Sequence, residues 1–447
     1  MFFRFDAEFF DKIALMTDRK IKEHKHYFLK LSEIVSGPFG STLKSESYLQ
    51  EGIPFIRIEN IRGGFNINTS NMVYISEQDN NKISNSQLNI DDIILSKVGN
   101  SIGYFARVGK NLGVCNISEN NIGIRTKNYS ESEKTFILTY LNCKYAKALV
   151  LRRTSGNAQP KLNVSDLCYI PIPVFSDVFY SKIREKVLNS QNKILEADST
   201  YECAESILNK YLNVAAVFEN GVTVKTLSNS FIRSGRMDAE YYQPKYEKIQ
   251  SQLKSTKPLF MVCKLYDSNF VPDNNAQYDY IELSNVGLTG DISNIDKVDG
   301  GDLPSRARRM VKEGQIIVSS IEGSLSSCAL IGQELDGAIC STGFYVVDSN
   351  EINSETLLML FKSMPIQALL QQHCSGTILT AISKEEFLNI PIPYIDDTTQ
   401  KEISDRVQES FYLRKEAKRL LDNAIKAVEM AIETNENTAL LWIESQQ

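Results

Sequence analysis

Ser101 lies at the centre of Gly99–Gly103, whose letters Gly-Asn-Ser-Ile-Gly match the nucleophile-elbow pattern of serine hydrolases. Such an elbow needs a strand before the serine, a helix after it and a histidine later in the chain. Here Tyr104–Val108 is predicted to be a strand, and the matching turn of the second half, Glu322–Ser326, lacks the pattern. The sequence therefore favours an ordinary turn over a catalytic serine, with the hydrolase as an alternative.

Metal and phosphate chemistry have little support in the sequence. His24 and His26 could bind a metal as a pair, but they stand in a charged stretch that we predict to be helical, with no third ligand nearby. Neither a GxGxxG nor a GxxxxGK[ST] loop is present. We predict no catalytic residue, no metal and no cofactor on this chain.

Polar side chains follow two predicted buried strands. Lys97, Asn100 and Ser101 come after the first of them, and Ser320 and Ser324 come after the second. Lysine, asparagine and serine can reach both phosphate oxygens and base edges, so these turns could form a nucleic-acid recognition surface. The alternative is a pair of hairpin turns with polar tips.

Other candidate DNA contacts occupy corresponding places in the two halves but differ in type. They are Arg57, Asn60, Gln159 and Lys161 in the first half, and Ser284, Asn285 and Thr380 in the second. Similar backbones with different side chains are what reading two different base sequences requires.

A basic run, Arg306–Lys312, is predicted to be a loop before the strand at Ile316. Its Arg306, Arg308 and Arg309 would neutralise phosphates and give a salt-sensitive affinity. A solvated surface run is the equal alternative.

The elements that must position these residues occur twice. Arg4–Phe10 returns 232 residues later as Arg236–Tyr242. Ser155-Gly156 and the Ile-Pro-Ile-Pro stretch at Ile170–Pro173 both return 220 residues later, the latter as Ile390–Pro393. A repeat of this length indicates two copies of one folded unit.

Each copy mixes helices with short strands, and each Ile-Pro-Ile-Pro stretch is expected to be stiff and extended. The first copy is predicted to hold strands at Ile53–Ile58, Met72–Ile75, Ile90–Ser96 and Tyr104–Val108, and helices at Phe9–Lys25 and Lys134–Arg153. The second is predicted to hold a strand at Tyr278–Leu283 and a helix at Ser354–His373.

After each Ile-Pro-Ile-Pro stretch the apolar and small residues follow a 4-3-4-3 heptad spacing, which predicts two long helices paired as an antiparallel coiled coil. Two amphipathic helices, each packed on its own copy, are the alternative. The first seam, 26 residues from Ile183 to Leu208, is about 39 Å of helix, close to the turn of B-DNA at about 34–36 Å. The seam residues are Ile183, Val187, Ile194, Ala197, Leu208, Ile403, Val407, Ala417, Leu421 and Val428.

The fold class is therefore mixed α/β (α+β), with two similar heads and a pseudo-two-fold internal repeat. We predict a first head at 1–175, a first spacer helix at 176–216, a second head at 217–395 and a second spacer helix at 396–435.

Bulk properties set limits on the class of protein. The net charge of −6 argues mildly against a nucleic-acid partner, although binding depends on local clusters. The sequence has no apolar run long enough to span a membrane and no secretory signal. Its eight cysteines form no C-x-x-C pair, so reduced, mostly buried thiols and a cytoplasmic location are expected.

The chain resembles the specificity subunits of type I restriction-modification systems. The likeness is carried by Gly52–Ile61, Ile93–Gly103, Ser341–Phe344 and the two Ile-Pro-Ile-Pro ends that lead into heptad helices. It covers nearly the whole chain in the order head, helix, head, helix. The second copy departs from it, having Tyr278–Glu282 where the first has Gly-Ile-Pro-Phe-Ile-Arg.

The resemblance implies a non-catalytic subunit with two target-recognition domains, each reading one half of a bipartite site in double-stranded DNA. It also implies that the helices act as a spacer and dock adenine DNA methyltransferase subunits, with motor-nuclease subunits joining for restriction. S-adenosylmethionine and ATP would then be bound by those partners. The alternative is a protein-binding assembly scaffold with twin heads and no sequence-specific DNA binding.

Overall fold

The computed structural model describes residues 10–38, 43–61, 63, 65–69, 71–156, 159–215, 221–232, 234–293, 295–376 and 380–446. The chain divides into two compact units. The first unit is Met1–Lys193 with Glu416–Gln447, and the second is Ile194–Lys415. The Arg4–Phe10 copy of the repeat lies almost wholly outside the described residues, whereas its partner at Arg236–Tyr242 lies within them.

The first unit begins with helices and strands that alternate along the chain. They are α1 (Lys12–Lys22), β1 (His26–Tyr27), β2 (Ile34–Ser36), β3 (Ile53–Ile56), β4 (Phe65–Asn66), β5 (Val73–Ile75), α2 (Glu77–Lys82), β6 (Ile93–Ser96), β7 (Phe105–Arg107), β8 (Asn116–Ile117), β9 (Asn121–Ile124), α3 (Glu131–Leu141), α4 (Lys144–Arg152) and β10 (Ile172–Pro173). A long helix, α5 (Asp177–Leu212), follows.

The second unit repeats this order. Its elements are α6 (Pro244–Gln252), β11 (Thr256–Pro258), α7 (Leu259–Val262), β12 (Cys263–Tyr266), β13 (Gln277–Ile281), β14 (Asp296–Asp299), β15 (Ala307–Met310), β16 (Ile316–Ser319), β17 (Cys328–Leu330), β18 (Ile339–Ser341), β19 (Phe344–Ser349), α8 (Ser354–Lys362), α9 (Met364–Gln372), β20 (Cys374–Ser375), β21 (Ala381–Ile382), α10 (Lys384–Leu388) and β22 (Pro391–Pro393). The chain ends with a second long helix, α11 (Asp397–Glu433), and α12 (Glu436–Ser445).

A fully buried strand organises the main sheet of each unit. In the first unit the strand order is β2-β9-β6-β7-β4, and in the second it is β12-β19-β16-β17. Ile93 on β6 lies opposite Ile124 and Arg107, and Ile316 on β16 lies opposite Val347 and Leu330. Each of these three residues returns 223 positions later, so the strand registers of the two units are the same. The predicted duplication is confirmed at this level.

A second sheet in each unit also repeats. Strand β3 pairs with β5 in antiparallel and with β8 in parallel orientation, and β13 pairs in the same way with β14 and β18. The second unit adds β15 to this sheet. This addition corrects the prediction of a loop at Arg306–Lys312.

The helix predicted over Lys134–Arg153 is two helices, and so is the one predicted over Ser354–His373. In the first unit Asn142 ends α3, because its buried amide donates to the carbonyls of Phe105 at 2.8 Å and Leu138 at 3.0 Å. In the second unit the helix breaks at Ser363, whose backbone is extended, and Pro365 restarts it as α9. Tethering to a strand and the proline both outweigh the continuous apolar pattern.

The two Ile-Pro-Ile-Pro stretches are extended, as predicted, and each forms a short strand pair. Strand β10 pairs with β1, and β22 pairs with β11. A proline cannot donate to a neighbouring strand, which suits a two-stranded pair over a position inside a larger sheet.

Within each unit the long helices run antiparallel to one another. In the first unit, Ser190 Oγ donates to the Ala417 carbonyl at 2.7 Å, and Ser176 near the start of α5 contacts Glu436 beyond the end of α11. In the second unit, Ser410 Oγ donates to the Ala197 carbonyl at 2.7 Å. These two serine bonds are equivalent positions of the repeat.

Most of the predicted seam is buried in these pairs. The residues buried to 1% exposure or less are Ile183, Val187, Ala197, Leu208, Ile403, Val407, Ala417 and Val428. Ile194 and Leu421 are half-buried. Among the described residues, no helix combines the length and apolar character that crossing a membrane would need. All eight cysteines are free and six are buried, as expected of structural thiols.

Candidate nucleic-acid interface

The turn after β6 is joined by backbone hydrogen bonds to the segment before the Ile-Pro-Ile-Pro stretch. Gly99 N–H donates to the Pro160 carbonyl at 3.0 Å, and Leu162 N–H donates to the Lys97 carbonyl at 2.8 Å. We call residues 97–101 with 159–161 the first composite loop. The structure thus brings together candidate residues that are some sixty positions apart in the sequence.

The second unit builds the same arrangement. Glu322 N–H donates to the Thr380 carbonyl at 3.0 Å, and Ile382 N–H donates to the Ser320 carbonyl at 2.9 Å. We call residues 320–324 with Thr380 the second composite loop. The two bonds join equivalent positions in both units, so a common backbone presents side chains that differ.

The first composite loop is basic. Lys161 and Gln159 are exposed, and Lys97 is half-buried with its Nζ 3.2 Å from Ser36 Oγ. Burial lowers the pKa of Lys97; nearby Glu119 opposes this effect and Lys161 adds to it. Ser101 is 9% exposed, and the side chain of Asn100 lies outside the described residues.

The second composite loop carries hydroxyls and a carboxylate in place of the lysines. Ser320 Oγ donates to the Gly343 carbonyl at 2.9 Å, and Ser324 Oγ lies 2.9 Å from Ser319 Oγ. Thr380 and Glu322 are half-buried. The loop could therefore form hydrogen bonds to a ligand without supplying the positive charge of its counterpart.

Asn60 is not a surface residue, which corrects its prediction as a base contact. It is 0% exposed; its Oδ1 accepts from Arg57 N–H and its Nδ2 donates to the Asn68 carbonyl, both at 2.9 Å. Asn285 closes the equivalent turn, where Oδ1 accepts from Glu282 N–H and Nδ2 donates to the Ser293 carbonyl at 3.2 Å. Both asparagines hold a turn after a strand.

The neighbours of these asparagines remain accessible to different extents. Arg57 is half-buried: its guanidinium donates to the Asn71 carbonyl at 2.9 Å, pairs with Glu59 and lies 5.7 Å from the Tyr48 ring centroid. Ser284 is exposed. Of these two, Ser284 could meet a ligand without first giving up a partner on the protein.

The three predicted arginines of the basic run differ in what they present. Arg306 is exposed, and half-buried Arg308 donates from Nε to the Ser305 carbonyl at 3.1 Å. Arg309 Nη1 is shielded from solvent and has no hydrogen-bond partner among the described residues. Because β15 is a strand with a register shift between Ala307 and Arg309, its side chains do not form the single basic loop that the sequence suggested.

The hydrolase alternative lacks its required geometry. Ser101 ends a short turn, Gly99–Ser101, between the antiparallel strands β6 and β7, where an elbow would need a helix to follow. His24 and His26 lie after α1 and not within it, contrary to the prediction, and His24 Nε2 lies 3.1 Å from the Ile432 carbonyl. No cluster of three metal-ligating side chains occurs within the described part of the chain.

Sequence reasoning missed two contributors to these surfaces. One is the pair of Lys147 and Tyr104 beside the first composite loop, where the ammonium lies 4.6 Å from the ring centroid. The other is Glu322, which occupies the position of Gly99. Aligning the two turns residue by residue would have exposed Glu322, since a glycine aligned with an acid changes both size and charge.

Comparison with solved structures returns restriction-modification proteins. The chain is similar to the type I S subunit from M. genitalium, at 15% identity and a TM-score of 0.39, over 90% of this chain and 96% of that one. It is also similar to the HsdS subunit from Thermoanaerobacter tengcongensis, at 13% identity and a TM-score of 0.26, over 90% and 96%.

A chain from a type I R-M system studied for complex assembly and conformational transition is similar at 14% identity and a TM-score of 0.29, over 90% of this chain and 97% of that one. No protein-family model and no curated protein matches the sequence. With TM-scores below 0.5, these likenesses do not decide what the chain does, and its own residues must.

Proposed function

We propose that this chain is the non-catalytic DNA-recognition subunit of a type I restriction-modification complex, with each head reading one half of a bipartite site. The observation that carries the proposal is the pair of composite loops. Equivalent backbone hydrogen bonds hold both loops, while Lys97 and Lys161 in one are replaced by Ser320 and Ala381 in the other. A duplicated frame with divergent side chains suits the reading of two different sequences.

The paired helices supply the second part of the proposal. Helix α5 has 36 residues and α11 has 37, which correspond to about 54 Å or more of helix each. They would set the distance between half-sites and dock adenine methyltransferase subunits, with motor-nuclease subunits joining for cleavage. S-adenosylmethionine and ATP would be bound by those partners, in the cytoplasm.

Electrostatics limit where the affinity can come from. The chain is acidic overall at −6, so phosphate contacts must come from local cations. Lys97 and Lys161 in the first composite loop, and exposed Arg306 in the second unit, are the candidates.

A binding titration of the chain with its methyltransferase partner tests the proposal. Random-sequence duplexes are selected by the complex, recovered and sequenced, and affinity for the enriched sequence is measured at several salt concentrations. We expect a split consensus with two specific parts, and an affinity that falls linearly on a log-log plot against salt. Absence of an enriched sequence together with no salt slope would refute DNA recognition and favour the protein-binding scaffold.

A further inference from the structure

The two composite loops differ most sharply at one equivalent pair. Gly99 and Glu322 make the same backbone hydrogen bond, to Pro160 and Thr380 respectively. The first position has no side chain, and the second carries a carboxylate. Because the N–H of Glu322 is already tied to the segment before β21, the backbone at this position is fixed.

The carboxylate of Glu322 is not used by the fold in the described part of the chain. It makes no hydrogen bond or ion pair with any described residue, and it lines an open cleft of about 490 Å³ with Lys245, Tyr246 and Gln371. The cation that shares this cleft is engaged elsewhere, since Lys245 Nζ lies 2.9 Å from a carboxylate oxygen of Glu240. A charge of −1 therefore remains at the tip of the second composite loop.

A lone carboxylate facing DNA is unfavourable unless it accepts hydrogen bonds, because phosphates repel it. The base-edge donor that a glutamate accepts from in the major groove is the N4 amino group of cytosine. A glutamine at the same place would instead match adenine, to which it can both donate and accept.

Resting on the function proposed above, we propose that Glu322 is a specificity-determining residue of the second head and selects cytosine at one position of its half-site. The carboxylate accepts a hydrogen bond from the cytosine amino group and repels DNA at which that donor is missing. Its contribution is to discrimination, and it opposes non-specific affinity.

The test is sequence selection with the full complex carrying Glu322→Gln, Glu322→Ala or the control Glu334→Gln, whose exposed carboxylate lies in the same unit away from the loop. We expect Glu322→Gln to change one position of one half-site from cytosine towards adenine. Glu322→Ala should leave that position degenerate, with the cytosine preference reduced about 5- to 100-fold. Affinity for non-specific DNA should rise in both variants.

The outcomes separate this inference from the function on which it rests. A wild-type complex that selects no sequence overturns the proposed function. A wild type that selects a split site, with a half-site unchanged by both Glu322 variants, overturns the role of Glu322 and leaves the function standing. A change at that position in Glu334→Gln as well would also refute it, since the effect would then be one of net charge.

Discussion

At the scale of single residues, asparagines chosen as candidate base readers turned out to hold the backbone. Asn60 accepts from Arg57 N–H and donates to the Asn68 carbonyl while fully buried. We predict that Asn60→Ala lowers the free energy of unfolding by about 1–3 kcal/mol, because it leaves buried polar groups without partners. Chemical denaturation measures this. The half-buried Asn285→Ala is the matched control and should cost less; an unchanged stability in Asn60→Ala would contradict the structural role.

Lys97 is the residue whose loss should weaken binding to every DNA sequence. Its ammonium is half-buried beside Ser36 in the first composite loop, and burial lowers its pKa. We predict that Lys97→Ala reduces the slope of log affinity against log salt by about one, with the preferred sequence unchanged. Salt titration of the complex measures the slope, with Lys110→Ala, an exposed lysine of the same unit, as the control. Equal slopes in both variants would remove Lys97 from the interface.

Residue type was predictable from the sequence, whereas accessibility was not. Lys161 and Gln159 are exposed as their proposed role requires, but Ser101 is 9% exposed and Asn60 is buried. A short polar side chain has the same letters whether it caps a turn or faces a ligand. Only the partners at Arg57 and Asn68 distinguish the two for Asn60.

At the scale of elements, two serines hold the long helices close. Ser190 donates to the Ala417 carbonyl and Ser410 to the Ala197 carbonyl, each at 2.7 Å and each against an alanine. Small residues at such positions let two helix backbones approach, so a larger side chain must push them apart.

We predict that Ser410→Ala costs about 0.5–1.5 kcal/mol of unfolding free energy, the value of one hydrogen bond. Ser410→Leu should cost more, about 1–3 kcal/mol for overpacking in addition to the lost bond. Urea denaturation of both variants gives the comparison, and Tyr412→Leu, at a side chain that is 64% exposed, should be nearly neutral. If the leucine variant were as stable as the alanine variant, close packing of the helices at Ser410 would be excluded.

The existence and order of elements could be read from the sequence, but their interruptions could not. Extended Ile-Pro-Ile-Pro ends and the buried run at Ile93–Ser96 follow from proline chemistry and apolar patterning. The breaks at Asn142 and Ser363 follow from contacts with distant strands or from a nearby proline, and β15 forms because β18 offers it an edge. Tertiary partners of this kind leave no periodic signal.

At the scale of the whole molecule, the duplication has kept the frame and changed the charge. The central strands of the two units share their register through a constant shift of 223 residues. Around them, the basic first composite loop contrasts with the acidic tip of the second. One head would thus contribute more of the salt-dependent affinity and the other more of the discrimination, which a symmetric molecule could not do.

The two heads can act on one DNA only if the helices hold them together, and Leu421 tests this. Its half-buried side chain packs against the buried cluster of the first unit that contains Ala424 and Val428. An aspartate there would bury an unpaired carboxylate against apolar residues, at a cost of several kcal/mol. We predict that Leu421→Asp reduces affinity for the bipartite site to that for a single half-site and abolishes methyltransferase docking. Comparing DNA with one or two half-sites, and co-purification with the partner, measures both effects.

Leu441→Asp is the control for the added charge, since Leu441 on α12 is 71% exposed. It should bind the bipartite site and the methyltransferase as the wild type does. The second half-site gives an internal check on folding in Leu421→Asp, because its head lies in the other unit and should still bind alone. A Leu421→Asp chain that kept both full bipartite affinity and methyltransferase docking would show that the helices neither couple the heads nor form the dock. The composite loops would then have to act as independent DNA-binding sites.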